Sequence, residues 1–279
     1  MNAVYVAVQQ SRAYLSLMAS FATSLLPPDL LPPDLTGLDR VALAVFVLGW
    51  LGYGPFIYAF KTRPSITSRM GDIRRAWMFA MLGRDNRITD ASLIGNTMHS
   101  GTFFASTTMI AMAALMGMLG KFDATYGVLQ ELSLTAKTSQ ALVEVKIMLL
   151  ILVFAYSFLK LTWALRQLNY CLALIGGAPL KPGPVERAAI AERDGRVLSL
   201  AIASFNAGIR GYYFALAGLA WFAGPIAFLV VTCGMVTMLL WRQFGSATAA
   251  AIADAHPHYV EGAHMQRNPP STGSTAPVT

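Results

Sequence analysis

The chain has 279 residues, of which 55% are hydrophobic and only 13% charged, with a mean hydropathy of +0.52. A soluble domain carries about a quarter charged residues, so this composition excludes a water-solvated globule and points to lipid as the solvent. The net charge of +7 falls between the apolar runs, which fits basic loops of a membrane protein and no nucleic-acid partner.

Taken in chain order, residues 13–26 form an apolar stretch broken by serine and preceded by Arg12. It lacks the basic start and cleavage site of a signal peptide. An interfacial helix is expected, with an extra span as the rival. The repeat Pro27-Pro28-Asp29-Leu30 and Pro32-Pro33-Asp34-Leu35 then enforces a short extended spacer. The first predicted span covers about 38–60, with Gly52, Gly54 and Pro55 placed to kink it. Residues 72–84 read as a helix mixing Arg74, Arg75 and Arg84 with Trp77, suited to the headgroup layer.

The second span is expected at 92–119 and the third from about 142. The third continues as helix through Tyr170 to Ile175, until Gly176, Gly177 and Pro179 stop it. At about 1.5 Å per residue such a helix is roughly 50 Å long, so it should project into the cytoplasm. Residues 185–196 read as a short charged helix, 198–222 as the fourth span and 226–241 as the fifth. The tail is rich in Pro, Ser, Thr and Gly and expected to be mostly disordered. Three regions follow: 1–37 interfacial helix and spacer, 38–245 transmembrane, 246–279 tail. The fold class expected is an all-α integral membrane bundle of about five transmembrane helices.

Residues 61–91 hold seven Lys and Arg and residues 166–196 hold five, against two in 120–139. Positive loops stay in the cytoplasm, so five spans place the N-terminus outside and the C-terminus in the cytoplasm, in a bacterial inner membrane.

Polar groups inside a span need a reason. Arg210 is the most informative, with Asn206 one turn earlier on the same face; it reads as an anion-attracting or gating group, or as half of a helix-to-helix ion pair. Asp90 and Glu144 are its candidate partners. Glu144 and Lys146 would mark the outer mouth of a cavity. In the second span Asn96, Ser100 and Thr107 share a stripe, with His99, Ser106 and Thr108 nearby. One histidine without a second ligand at metal spacing is weak support for a metal or haem site, so no metal or cofactor is expected, and helix contacts explain the stripe. Ala207, Gly211 and Ala215 recur at four-residue spacing, which lets helices approach closely. Cys171 and Cys233 lie in different segments and predict no disulfide. No phosphate loop, HExxH or GxSxG motif is present, and no catalytic residue or enzyme activity is expected.

The blocks Arg74-Arg75-Ala76-Trp77, Ile94-Gly95-Asn96, Phe103 to Thr108, Arg166 to Tyr170, Asn206 with Arg210 to Phe214, and Gly224-Pro225 resemble an uncharacterised membrane family, domain of unknown function five-nine-nine. The resemblance covers roughly residues 38–244. It implies a multi-pass membrane fold, and it implies Arg75, Trp77, Asn96, Asn169, Asn206, Arg210 and Tyr213 as positions to test. It supplies no activity, substrate or cofactor. Two functional readings stay open. One is a homo-oligomeric channel or transporter with Asn96, His99, Ser100, Glu144, Asn206, Arg210 and Tyr213 at its pore or pocket. The other is an accessory or scaffold protein holding anionic lipid headgroups at Arg74, Arg75, Trp77 and Arg84. A quinone or haem site around His99 is a weaker third.

Overall fold

The computed structural model describes residues 32, 34–59, 64–131 and 138–267. The proposed interfacial helix at 13–26 lies outside them, as do Lys61, Arg63 and Lys137. Among the described residues the chain is all-α, with no strand.

Local chemistry sets where each helix starts. Thr36 and Asp39 exchange hydrogen bonds in a reciprocal cap, which opens α1, Gly37–Ala59. Ser65 accepts from the Ser68 N–H and starts α2, Ile66–Met81. This is six residues earlier than the apolar residues alone suggest, because Thr67 and Ser68 carry no apolar signal. Asn86 caps the Ile88 N–H ahead of α3, Ile88–Gly120. A short α4, Phe122–Glu131, follows. Ser139 accepts from the Leu142 N–H at the start of α5, Gln140–Gly177. Its 38 residues span about 57 Å at 1.5 Å each, well beyond a hydrocarbon layer of about 30 Å.

Pro184 begins α6, Pro184–Leu219, as one unbroken helix. The expected charged helix and fourth span are therefore a single element. Gly195 does not interrupt it, because that glycine serves contact: a Cβ there would lie 2.8 Å from the Arg75 Cα. A 3₁₀ turn, Ala220–Ala223, leads to Gly224 at φ 125°, a left-handed region open to glycine. Then come α7, Pro225–Phe244, and α8, Ala247–Arg267. Helix α8 corrects the expectation of a mostly disordered tail. Its opening run of alanines has high helix propensity, and Ser246 caps it through the Ala249 N–H.

Among the described residues, four helical stretches are long and apolar enough to cross a membrane: Gly37–Ile57, Ile88–Gly120, Gln140–Gly177 and Pro225–Val260. Helix α6 is not among them, although a span was expected at 198–222. Its mean hydropathy is lowered by Ser204, Asn206, Arg210 and its glycines.

The chain divides into two compact units. The first takes the residues up to 63 with 102–162 and 205–241. Phe46, Phe214, Phe228 and Trp221 are fully buried in it; Phe46 meets Phe214 edge-on at 5.5 Å and Trp221 stacks on Phe228 at 5.0 Å. Such pairs contribute about 0.5–1.5 kcal/mol each beyond burial. Helices α5 and α6 touch almost backbone to backbone: a Cβ on Gly211 would fall 1.6 Å from Ser157 Oγ, and one on Gly208 2.6 Å from Leu161. The expected small-residue stripe thus does meet a neighbouring helix, with Ala207 and Ala215 also buried.

The second unit takes 64–101, 163–204 and the residues from 242 on. Met78, Met81, Leu82, Ile94, Leu168, Cys171, Ile175 and Leu198 form its core. Ion pairs and hydrogen bonds to carboxylates surround that core, and they hold Arg75, Trp77 and Arg84, three of the four residues expected at lipid headgroups.

Candidate functional site

In the second unit Asp90 sits in the first turn of α3 and is fully buried. Its Oδ1 accepts from Trp77 Nε1 at 2.7 Å and from the Arg84 guanidinium. The described partners of Asp90 are thus two residues expected at lipid headgroups, rather than Arg210. The carboxylate stands at a helix N-terminus, where the macrodipole favours it. Arg75 pairs with Asp72 of its own helix and with Glu192 of α6 at 3.3 Å. Arg74 is half-buried and engaged in a contact of its own. Asp72 also meets His256 of α8 at 2.9 Å. Arg187 lies over the Phe79 ring at 4.2 Å and donates to the Phe79 carbonyl. Arg87 donates to the carbonyls of Ile175, Ala178 and Pro179, so it satisfies groups left open at the end of α5. Burial pushes the Asp194 carboxyl above the ordinary carboxylate range, and Arg193 only partly opposes this.

The early turns of α3 carry a different kind of residue. Asn96, His99 and Ser100 are all exposed. Ser100 returns its hydroxyl to the Asn96 carbonyl one turn back, a bond that hides a hydroxyl inside a helix. The Asn96 amide and the His99 ring have no hydrogen-bond partner among the described residues. The helix is also the least covered of the four apolar ones: 11% of its most apolar stretch is buried, against 44% for α5.

In the first unit Arg210 is half-buried, with its guanidinium 5.0 Å from the centre of the Tyr53 ring and 3.4 Å from where a Cβ on Gly54 would lie. Tyr53 in turn donates to the Leu239 carbonyl at 3.0 Å. Tyr213 is half-buried, while Asn206 and Glu144 are exposed. Thr108 is buried and bonded to Tyr212 at 2.7 Å, a helix contact of the kind expected for the second span's hydroxyls.

Sequence reasoning missed a buried cluster in this unit. Asp39 accepts from Trp221 Nε1 at 2.7 Å across 182 residues. Lys146, 3% exposed, places its ammonium 5.7 Å from the rings of both Trp221 and Phe222. Asp34 accepts from the Ser139 N–H and hydroxyl. Partial burial on its own would raise the Asp34 carboxyl, but the Ser139 bonds and the Lys146 charge outweigh it and hold it below its ordinary value. A cation inside an apolar run was the signal for Lys146 and equally for Lys160, whose ammonium lies 5.5 Å from the Tyr156 ring.

Helices of this length and apolarity, with polar groups bonded to one another inside them, define the class: an all-α membrane protein. The model of a family described as protein of unknown function, DUF599, matches residues 41–248. The chain belongs to that family. No curated protein and no solved structure matches it.

Proposed function

We propose that the protein is a non-catalytic, homo-oligomeric protein of a bacterial inner membrane, whose copies meet along the polar face of α3 and enclose a path for small ions or solutes. The observation that carries this reading is the exposure of the Asn96 amide and the His99 ring, unbonded, on the least covered apolar helix. An unsatisfied polar group in hydrocarbon costs several kcal/mol, so these side chains need water or a polar neighbour. Asn and neutral His each both donate and accept. The same patch on a second copy is therefore complementary to itself, as a symmetric contact requires.

In this reading residues 198–219 of α6 make a fifth crossing, held beside α5 through Gly208 and Gly211. The excess of Lys and Arg in residues 61–91 and 166–196 supports an N-terminus outside and a C-terminus in the cytoplasm. The alternative of an accessory protein gripping anionic headgroups draws less support, because Arg75 and Arg84 are already paired with carboxylates. Native mass spectrometry of the protein in lipid nanodiscs tests the proposal. A single closed stoichiometry, reduced to monomer by the double substitution Asn96→Leu and His99→Leu, is expected. A wild-type monomer, or a heteromeric complex, would overturn it.

A further inference from the structure

In the second unit an arginine bridges the start of α3 and the end of α5. Arg87 donates through Nη1 to the Ile175 and Ala178 carbonyls at 3.0 and 2.7 Å, and through Nη2 to the Pro179 carbonyl at 2.8 Å. Beside this bridge, within the same unit, lies an open cleft of about 520 Å³. Arg87 lines it together with the apolar residues Ile88, Ala91, Leu172, Ile175 and Leu180. A volume between about 300 and 1,000 Å³, mostly apolar walls and a few fixed polar groups are the marks of a small-molecule site.

Arg87 brings a charge that no carboxylate meets among the described residues. The carbonyl dipoles at the end of α5 offset part of it. Asp85, which also lines the cleft, is taken by Lys181 at 3.3 Å, so those two charges cancel and the cleft stays positive. A guanidinium has five N–H donors. The three carbonyl bonds leave one N–H of Nη2 without a partner among the described residues, and the Nε–H next to it is enclosed and unbonded. The apolar side is likewise uncovered: Ile88 and Leu180 are 72% and 73% exposed. Gly176 leaves further room, since a Cβ there would meet nothing within 4 Å. A neutral chain would leave the charge unmet, and a bare anion would leave Ile88 and Leu180 in water. A molecule that answers both carries an acid and an apolar chain together.

We infer that this cleft binds an anionic amphiphile, with its carboxylate or phosphate on the Nη2 edge of Arg87 and its acyl chain along Ile88, Leu172 and Leu180. The polar contact is a charge-assisted hydrogen bond to a deprotonated oxygen, and the chain removes apolar surface from water. The same chemistry belongs to a free fatty acid and to a phospholipid with an acidic headgroup. Binding here needs neither a second copy of the chain nor transport, so it does not rest on the assembly proposed above.

The test uses the full chain in phosphatidylcholine nanodiscs that contain oleic acid, phosphatidic acid or oleyl alcohol in separate preparations. Native mass spectrometry reads which molecules each chain retains. Retention of oleic acid identifies a free acid, and retention of phosphatidic acid identifies a lipid. Oleyl alcohol, which has the chain without the acid, should not be retained. Arg87→Gln should lower retention by about tenfold or more. Because Arg87 also closes the end of α5, a second variant serves where the first does not fold: Ile88→Ser with Leu180→Ser, both at exposed positions, should lower retention several-fold. Selective retention of neither acid would overturn the inference. So would retention of oleyl alcohol equal to that of the acids, or retention indifferent to both sets of substitutions. The same spectra report stoichiometry, so a monomer that retains the acid and an oligomer that does not are told apart.

Discussion

The two units hold themselves together by different means. In the first, fully buried rings of Phe46, Phe214, Phe228 and Trp221 pack around helices that approach through Gly208 and Gly211. In the second, Asp90, Asp72 and Glu192 bind Trp77, Arg84, Arg75 and His256 around a core of methionine and leucine. Lipid gives helices little hydrophobic reason to associate, so the apolar unit depends on close fit, and one atom in the wrong place is costly. Fixed charge pairs carry the other, where the penalty falls on whichever partner is left alone.

The sharpest way to break this contrast is at Gly211. Gly211→Val forces side-chain atoms into Ser157 Oγ, and overpacking of this severity costs more than about 3 kcal/mol. Loss of the monodisperse peak in detergent is expected. The milder Gly211→Ala should be largely restored by Ser157→Gly, and failure of that pair to recover would show that the close approach is not what the glycine provides. Next in size is Asp90→Ala, which leaves the Trp77 indole and the Arg84 guanidinium without their acceptor. Arg84 is about half exposed, so the expected cost is about 1–3 kcal/mol, read as a lower thermal midpoint. Asp90→Asn keeps the Oδ1 acceptor but loses the charge, so it should recover only part of the stability.

The smallest effect separates the units by pH. Asp34, in the first, is held below its ordinary value. It adds stability above the unfolded carboxylate range near 3.9, and that stability is lost as pH falls through the folded value. Asp34→Asn should therefore lower the midpoint at pH 7 and converge with wild type in acid. Asp194, in the second, is raised by burial. Its contribution is full only below the unfolded range and is lost as pH rises through the folded value. Asp194→Asn should raise the midpoint at pH 7, with the gain shrinking toward pH 4. Thermal unfolding at a series of pH values checks both, and equal pH profiles for the two variants would contradict the assignment.

The helices were legible where one signal dominated. The length of α5 followed from an apolar run with no proline and from the pair Gly176-Gly177, and α7 from the Gly224-Pro225 turn. The continuity of α6 was not legible, because the charged stretch 185–196 and the apolar stretch after it differ in composition, and the approach of Arg75 to Gly195 leaves no local trace. The start of α8 was obscured by the Pro and Ser farther along the tail, although its alanine run and Ser246 cap are plain local signals. Among site residues, Asn96, His99 and Asn206 were visible as polar groups in apolar surroundings. Their exposure was not, since a stripe that cements helices within one chain has the same spacing as one that faces outward. The Asp39–Trp221 bond, 182 residues apart, leaves no local trace, and Asp90 gave no hint that Trp77 and Arg84 would claim it.

The central claim is that the polar face of α3 meets the same face of another copy. It is tested most directly by a single cysteine at position 99, His99→Cys, in a chain whose Cys171 and Cys233 are replaced by Ala and Ser. In membranes treated with mild oxidant, the account predicts a disulfide-linked dimer that is absent when the cysteine is placed on the buried side of the same helix, as in Ile94→Cys. A chain that stays monomeric at position 99, while remaining folded and reactive to a small maleimide there, would contradict it.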